Sequence, residues 1–325
     1  MRMTKILHKH ETYIFIFLFV MCFVIGIINP VFYSNGNIFS ILKSSIVIGI
    51  LSLGVLLVLV SGGIDVSFPV VAAFSLYCSS LIYMGNSDVS ILQIYLTGMI
   101  IGALCGLLNG VLISLFNFPA MVVTLGTSSL LSGFMYTYIG TRINHQIPGS
   151  LVEWGKNMIL QQTVDGKLIG LSSAYFLYFS LCILIFLFLK YTMLGRSVYM
   201  IGGSEESAQR LGLNTRWIKI FIYVAVGSLA GIAGITQSGF LRIANPFELY
   251  GSELSVIAAA ILGGANIGGG KGSVLGTFLG VLVITIINTS LIIMGVSSYW
   301  QQVVVGLVVI IAVAAPILVN KIVKA

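Results

Sequence analysis

Charged residues are so sparse along this chain that the gaps between them read as a list of elements. Charge-free runs cover Thr12 to Leu42, Ser44 to Ile64, Val66 to Ser87, Val89 to Thr141, Leu168 to Leu189, Ile220 to Leu241, Leu254 to Gly270 and Gly272 to Asn320. About 20 apolar residues cross the ~30 Å hydrocarbon core of a bilayer as a helix. Two runs are long enough for two helices each. The fourth breaks at Asn117-Phe118-Pro119 and the last at Gly295-Val296-Ser297-Ser298, where turn-forming residues interrupt the apolar pattern. The pattern therefore predicts ten helices in a single membrane domain over residues 1–325, an all-α polytopic fold. Leu254 to Gly270 is short and ends in GGANIGGG, so a broken or re-entrant helix is the alternative to a full span there.

Composition agrees: 58% of residues are hydrophobic and 8% charged, where soluble domains carry about 25% charge. The net charge of +7 follows from topology. With the Lys190–Lys219 loop and both termini in the cytoplasm, Arg2, Lys5, Lys9, Lys190, Arg196, Arg210, Arg216, Lys219, Lys271, Lys321 and Lys324 lie inside. Only Lys43, Arg142, Lys156, Lys167 and Arg242 lie outside, as the positive-inside rule requires. The charge gives no reason to expect nucleic acid as a partner. The N-terminal hydrophobic stretch is too long for a cleaved signal and reads as a retained helix. Cys22, Cys78, Cys105 and Cys182 fall inside spans without metal-like spacing and read as apolar fillers.

The polar island Lys190–Lys219 contains a complete set of helix signals. Ser204 stands before Glu205 and Glu206, Arg210 follows a turn later, and Gly212 comes just after Leu211. A helix over Glu205 to Leu211, about two turns long, is too short to persist alone in water, so it must dock on something. Ala208 and Leu211, three apart, would share its contact face.

Between the second and third helices, Gly62, Gly63 and Asp65 in SGGIDVS predict a tight turn with Asp65 capping the next helix; a role in gating or partner contact is the alternative. Gly98, Gly102, Gly106 and Gly110 recur at spacing four, as do Gly272, Gly276 and Gly280. Each set forms a face on which helices approach closely. Thr124, Ser128 and Ser132 make a hydroxyl stripe that either bonds to neighbouring backbone or lines a polar pathway; Asn109 and Asn288 are candidates of the same kind. Arg142 to Lys167 is the main external loop, with an amphipathic helix predicted over Leu151 to Ile159 and a docking surface for an external partner as the sharper reading. Gly263 to Ser273 departs from a phosphate loop, since Gly272 follows Lys271 and Ala265 stands where the first glycine is needed.

Several separated stretches together resemble the permeases of ribose-type ABC sugar importers: SGGIDVS, GLLNGVLIS from Gly106, FPAMVVTLGT from Phe118, GRSVYMIGGSEESAQRLGLN from Gly195, SLAGIAGI from Ser228, ELSVIAAAILGG from Glu253, GGGKGSVLGT from Gly268 and GVSSYWQQVVVGL from Gly295. The resemblance implies a ten-helix, type II importer-like permease of the bacterial inner membrane, working as a pair, with a second copy favoured over a paralogue. It implies a cytoplasmic ATPase that carries the ATP and Mg, while this chain binds no cofactor, and an extracytoplasmic sugar-binding protein. It makes the loop of Gly202, Gly203, Ser204, Glu205, Glu206, Ala208, Leu211 and Gly212 the helix that fits an ATPase groove. Phe68-Pro69 after Ser67, Ser255, and Asn245-Pro246-Phe247 depart from the family pattern and bear on cargo, for which ribose-like sugars and furanosyl signalling molecules are the options. A self-powered carrier would need ionisable groups within its spans, and Asp65 and Glu253 are expected only at span edges. An enzyme would need converging catalytic groups, and the histidines, His8, His10 and His145, all lie outside the spans.

Overall fold

The computed structural model describes residues 10–310 apart from 87, 165, 166, 296, 298, 308 and 309. The basic residues Arg2, Lys5, Lys9, Lys321 and Lys324 and most of the last span lie outside the described residues.

The chain is an all-α polytopic membrane protein. Its first helices are α1 (His10–Ile28), α2 (Asn35–Val60), α3 (Phe68–Ile82), α4 (Ile91–Phe116) and α5 (Ala120–Phe134), the last carried on by a π turn over Met135–Ile139. After α6 (Gly149–Lys156) and a hairpin of β1 (Met158–Val164) and β2 (Lys167–Ser172) come α7 (Ala174–Tyr191), α8 (Met193–Gly203), α9 (Glu205–Arg210), α10 (Thr215–Leu241), α11 (Glu253–Leu262) and α12 (Val274–Ile293). Residues 299–307 are helical as well. Among the described residues seven helices are long and apolar enough to cross a membrane: α1, α2, α4, α5 with its π turn, α7, α10 and α12; α3 and α11 are apolar but shorter.

Helix α2 is apolar all round and buries 78% of the residues in its most apolar stretch, which makes it the centre of the bundle, whereas α1 buries 11% and lies at the rim. The reading of Lys43 as a boundary between spans is corrected. The chain turns at Asn29, whose side chain accepts from Val31 N–H (3.0 Å), and α2 starts under the Ser34 cap. Lys43 lies two turns inside α2, its ammonium 4.8 Å from the centre of the Phe240 ring. A long stem and an aromatic face let one lysine sit inside an apolar helix.

Helices α4 and α10 form the most extensive contact in the chain. Gly98 and Gly102 face Gly231 and Gly227, and Gly106 and Gly110 face the backbone of Tyr223 and Ile220, so closely that a methyl group on any of the four would collide. The second glycine face is only partly as expected. Gly276 and Gly280 lie against Gly263 and Ala259 of α11, but Gly272 precedes α12 and meets Val60 and Leu56 of α2 instead.

Helix α11 has ten residues, roughly 15 Å at 1.5 Å per residue, about half the hydrocarbon core. The Ser52 hydroxyl donates to the Val256 carbonyl (3.3 Å), and Ser52 lies roughly 12 Å along α2 from its end at Val60. Residues 242–252 descend to meet it from the opposite end, where Ala244 pairs with Asn144 and Tyr250 reaches Ser132 of α5. The stretch therefore crosses as an irregular segment followed by a half-length helix. Glu253, expected at a span edge, opens α11 well inside the bundle.

The loop after α5 also differs from expectation. The helix expected over Leu151 to Ile159 is α6, Gly149–Lys156, and the next residues form the antiparallel hairpin β1–β2, which takes over residues 168–172 from the expected sixth span. The Asp165-Gly166 dipeptide is a hairpin signal in the sequence, and the polar Gln161, Gln162 and Thr163 weaken an apolar helical face.

Candidate functional site

Two groups of candidate residues meet at one end of the bundle, where α2 ends. The first is the polar segment between Lys190 and Lys219. Thr192 caps α8, accepting from Gly195 N–H (2.9 Å), and Ser204 caps α9, accepting from Ser207 N–H (3.2 Å). Glu205 and Glu206 lie in the first turn of α9 and Arg210 in its last. Gly212 has φ +81°, and Gly212 and Leu213 N–H donate back to Gln209 and Ala208 carbonyls, which closes the helix in a Schellman motif. Helix α8 was not anticipated by sequence; it buries Gly195, Val198 and Ile201 and exposes Met193, Arg196 and Met200.

The pairing of Ala208 with Leu211 on one contact face is corrected. Ala208 is 1% exposed and packs inward, while Leu211 is 69% exposed. The helix stops at Arg210, and Leu211 is its C-cap with ψ near 6°, so the helical i, i+3 rule no longer applies. The outer surface carries Glu206, Ser207, Arg210 and Leu211. Glu206 and Arg210 pair across an exposed turn (2.6 Å), whereas Glu205 turns inward to Lys219 (2.6 Å).

Helix α8 joins this segment to α2. Gly202 lies against the Val60 carbonyl, which also accepts from Gly270 N–H (2.9 Å), and Gly62 sits beneath Gly202. Gly203 follows at the end of α8. At Gly62 (φ +85°) the chain leaves α2 through a second Schellman turn, Gly62 and Gly63 N–H donating to Leu59 and Val58 carbonyls. That turn delivers Asp65.

Asp65 is 4% exposed and has no ion pair among the described residues. It does not cap α3 directly, because Ser67 is the N-cap residue; instead Asp65 Oδ1 accepts from Ser67 N–H and O–H, both at 2.7 Å. Burial raises its carboxyl pKa against the pull of these two donors. The Ser67 hydroxyl accepts in turn from Asn109 Nδ2 of α4 (2.8 Å), and Thr124 of α5 accepts from Val66 N–H (3.3 Å). Asn109 Oδ1 is buried without a partner. One chain of bonds thus ties the α2–α3 turn to α4 and α5.

The structure brings Asp65, Asn109 and Thr124 together but not the rest of the stripe. Ser132 pairs with Tyr250 Oη (2.7 Å) and donates to the Ser128 carbonyl (2.7 Å). Asn288 sits on α12, its Oδ1 also unpartnered. Around Ser132 lies a group that sequence reasoning missed: Tyr136 is 4.8 Å from Phe247 and 6.5 Å from Tyr250 between ring centres, and Glu248 accepts from Gln237 (2.9 Å) and Asn245 (3.4 Å). Ser132 and Tyr136 stand more than 100 positions from Gln237, Asn245, Phe247, Glu248 and Tyr250, and Asn245-Pro246-Phe247 is the local sign of the group.

Residues 37–313 match the family described as the permease component of branched-chain amino acid transport systems. The chain is 34% identical to the probable ABC transporter permease protein YphD of Escherichia coli strain K12, over 97% of this chain and 91% of that one. It is 33% identical to the ribose import permease protein RbsC of Bacillus subtilis strain 168, over 92% and 90% of the two chains. It is 29% identical to the autoinducer 2 import system permease protein LsrC of Salmonella typhi, over 88% and 79%. No solved structure matches the chain.

Proposed function

The chain belongs to the permease family of ribose-type ABC importers, and from that premise we propose that it forms half of the pathway for a small, ribose-like sugar. In this reading a separate ATPase docks on the outer surface of α9, an extracytoplasmic binding protein delivers the sugar at the hairpin end, and a second copy completes the pathway. The loop Lys190–Lys219 and both termini are cytoplasmic, and ATP and Mg reside on the ATPase.

The observation that best supports this reading is the contact of Gly202 with the Val60 carbonyl and Gly270. Where backbone touches backbone, no flexible side chain absorbs movement, so a push on α9 passes to the end of α2 and on to Asp65. Residues Asp65, Asn109 and Thr124 then act at the inner gate. The aromatic rings and carboxylate around Tyr250 meet the sugar on the other side, since rings stack on the C–H faces of a sugar and carboxylates accept from its hydroxyls. An autoinducer-like furanosyl compound is the second cargo reading, supported by similarity to the LsrC protein.

The test is gentle purification from the native membrane. Wild-type chain should bring down an ATPase and a sugar-loaded binding protein, and the sugar names the cargo. Leu211→Glu, which changes an exposed position, should insert normally and lose the ATPase. Retention of full ATP-driven uptake by that variant would refute the docking assignment, and a purified chain that moves solute without any ATPase would refute the importer reading.

A further inference from the structure

The geometry points to a binding site for an anionic phospholipid in the groove between α7, α8 and the start of α12, with Lys190 and Arg196 holding the headgroup phosphate. The groove has a volume of about 460 Å³, with walls of Phe186, Leu189 and Val274 and with Lys190, Arg196 and Tyr199 at its rim.

Its position suits a headgroup. Lys190 lies in the last turn of α7, where the apolar run ends, and Arg196 in the first turn of α8. Beside them Tyr191 and Met193 are 63% and 74% exposed, as on a helix that lies in the membrane interface. An apolar wall leading to a polar rim is the shape an acyl chain and its phosphate fill together; a free phosphate would leave the wall uncovered.

Its charge selects the headgroup. Among the described residues the ion pairs are Glu206 with Arg210 and Glu205 with Lys219, so Lys190 and Arg196 have no carboxylate partner. The Lys190 ammonium rests 5.1 Å from the Phe186 ring centre and 5.3 Å from that of Tyr191, and the Arg196 guanidinium reaches only the Met193 sulfur (3.1 Å). The Tyr199 hydroxyl donates to the Gly272 carbonyl (2.9 Å) and is already engaged. Glu11 also reaches the rim, where it accepts from Ser273 (2.8 Å). Two cations against one hydrogen-bonded carboxylate leave the rim positive. Basic pockets between spans at the membrane surface take anionic headgroups for this reason.

A lipid here would brace the α7–α8 corner. The test does not depend on transport. The full-length chain, stripped of lipid in detergent, is mixed with phosphatidylglycerol or with phosphatidylcholine of the same acyl chains, and retained lipid is counted by native mass spectrometry. Two surface cations should favour phosphatidylglycerol by about thirtyfold. The preference should disappear in K190Q/R196Q and persist in K156Q, which alters the hairpin end. Higher ionic strength should also weaken it in the wild type. Equal retention of the two lipids, a preference that survives K190Q/R196Q or high salt, or complete displacement of the lipid by inorganic phosphate but not by chloride at the same ionic strength would each overturn the assignment.

Discussion

The seam between α4 and α10 can be tested by filling it. A methyl group on Gly102 would lie 2.9 Å from the Gly227 carbonyl carbon and nearer still to its oxygen, and the reciprocal methyl on Gly227 meets Gly102 in the same way. Carbon contacts settle at about 3.5–4.0 Å, so either alanine must part the helices by at least ~0.5 Å. Overpacking of this kind costs about 1–3 kcal/mol, and the better helix propensity of alanine returns at most ~1 kcal/mol. A net loss of ~1–2 kcal/mol is expected for Gly102→Ala or Gly227→Ala. The pair should lose less than the sum, because the first substitution opens the gap that the second occupies. Gly126→Ala is the control, since nothing lies within 4 Å of its added methyl. Unfolding in one detergent can be followed by the reaction of buried Cys105 and Cys182 with a thiol probe. If Gly102→Ala unfolds together with Gly126→Ala, or if the two seam substitutions are strictly additive, the close packing described here is wrong.

Asp65→Ala should destabilise the chain by about 1–3 kcal/mol, because two buried Ser67 donors lose their acceptor; the same unfolding assay checks this. Ser204→Ala removes the α9 cap, costs about 1 kcal/mol locally, and should lower the ATPase stimulation of the assembled importer without affecting insertion. Glu206→Ala and Arg210→Ala break only an exposed pair and should leave stability within ~0.5 kcal/mol, measured as above. Tyr250→Phe removes the Ser132 bond at the far end, and should slow sugar uptake several-fold while ATPase binding is unchanged; equal uptake would remove Tyr250 from the pathway.

Local signals were the legible ones. The α9 helix could be read because its caps are within a few residues of one another, and the α4 seam because a period of four repeats along one helix. Lys43 is misleading because a charge ordinarily marks a span boundary, whereas Asn29 and Pro30 make the turn and Phe240, almost 200 positions away, accommodates the ammonium. Ala208 misled because the helix ends one residue before Leu211. Helix α8 was hidden by Gly202 and Gly203, which argue against helix on propensity, although Gly202 is required where α8 meets Val60. The Asp65–Ser67–Asn109 chain and the Tyr136–Phe247–Tyr250 group each need elements that only tertiary packing joins, and no spacing in the sequence encodes them.

These contacts divide the bundle into parts that must move together and a part that need not. Helices α4 and α10 interlock backbone to backbone, so they can turn only as one body. Helix α2 fills the centre, and its Val60 carbonyl is hydrogen-bonded by Gly270 and packed against Gly202 of α8. Helix α5 is held more loosely than α2 and α10: 28% of the residues in its apolar stretch are buried, and the methyl positions of Gly126 and Gly133 open onto space. It is held at one end by Thr124 to the Asp65 turn and at the other by Ser132 and Tyr136 to residues 247–250, where Leu249 sits at φ +68°. A leucine in the left-handed region is strained, so this segment gains from rearrangement. In the proposed cycle the locked pair is the frame, the end of α2 the lever and α5 the gate: a push at α9 passes through Gly202 and Val60 to the Asp65 turn, Thr124 follows, and the far end of α5 swings against the strained segment. Crosslinking α5 to residues 247–250 through cysteines at Tyr136 and Phe247 should then stop uptake while leaving ATPase docking intact. Uptake that continues with the crosslink closed would make α5 a static wall and move the gate elsewhere.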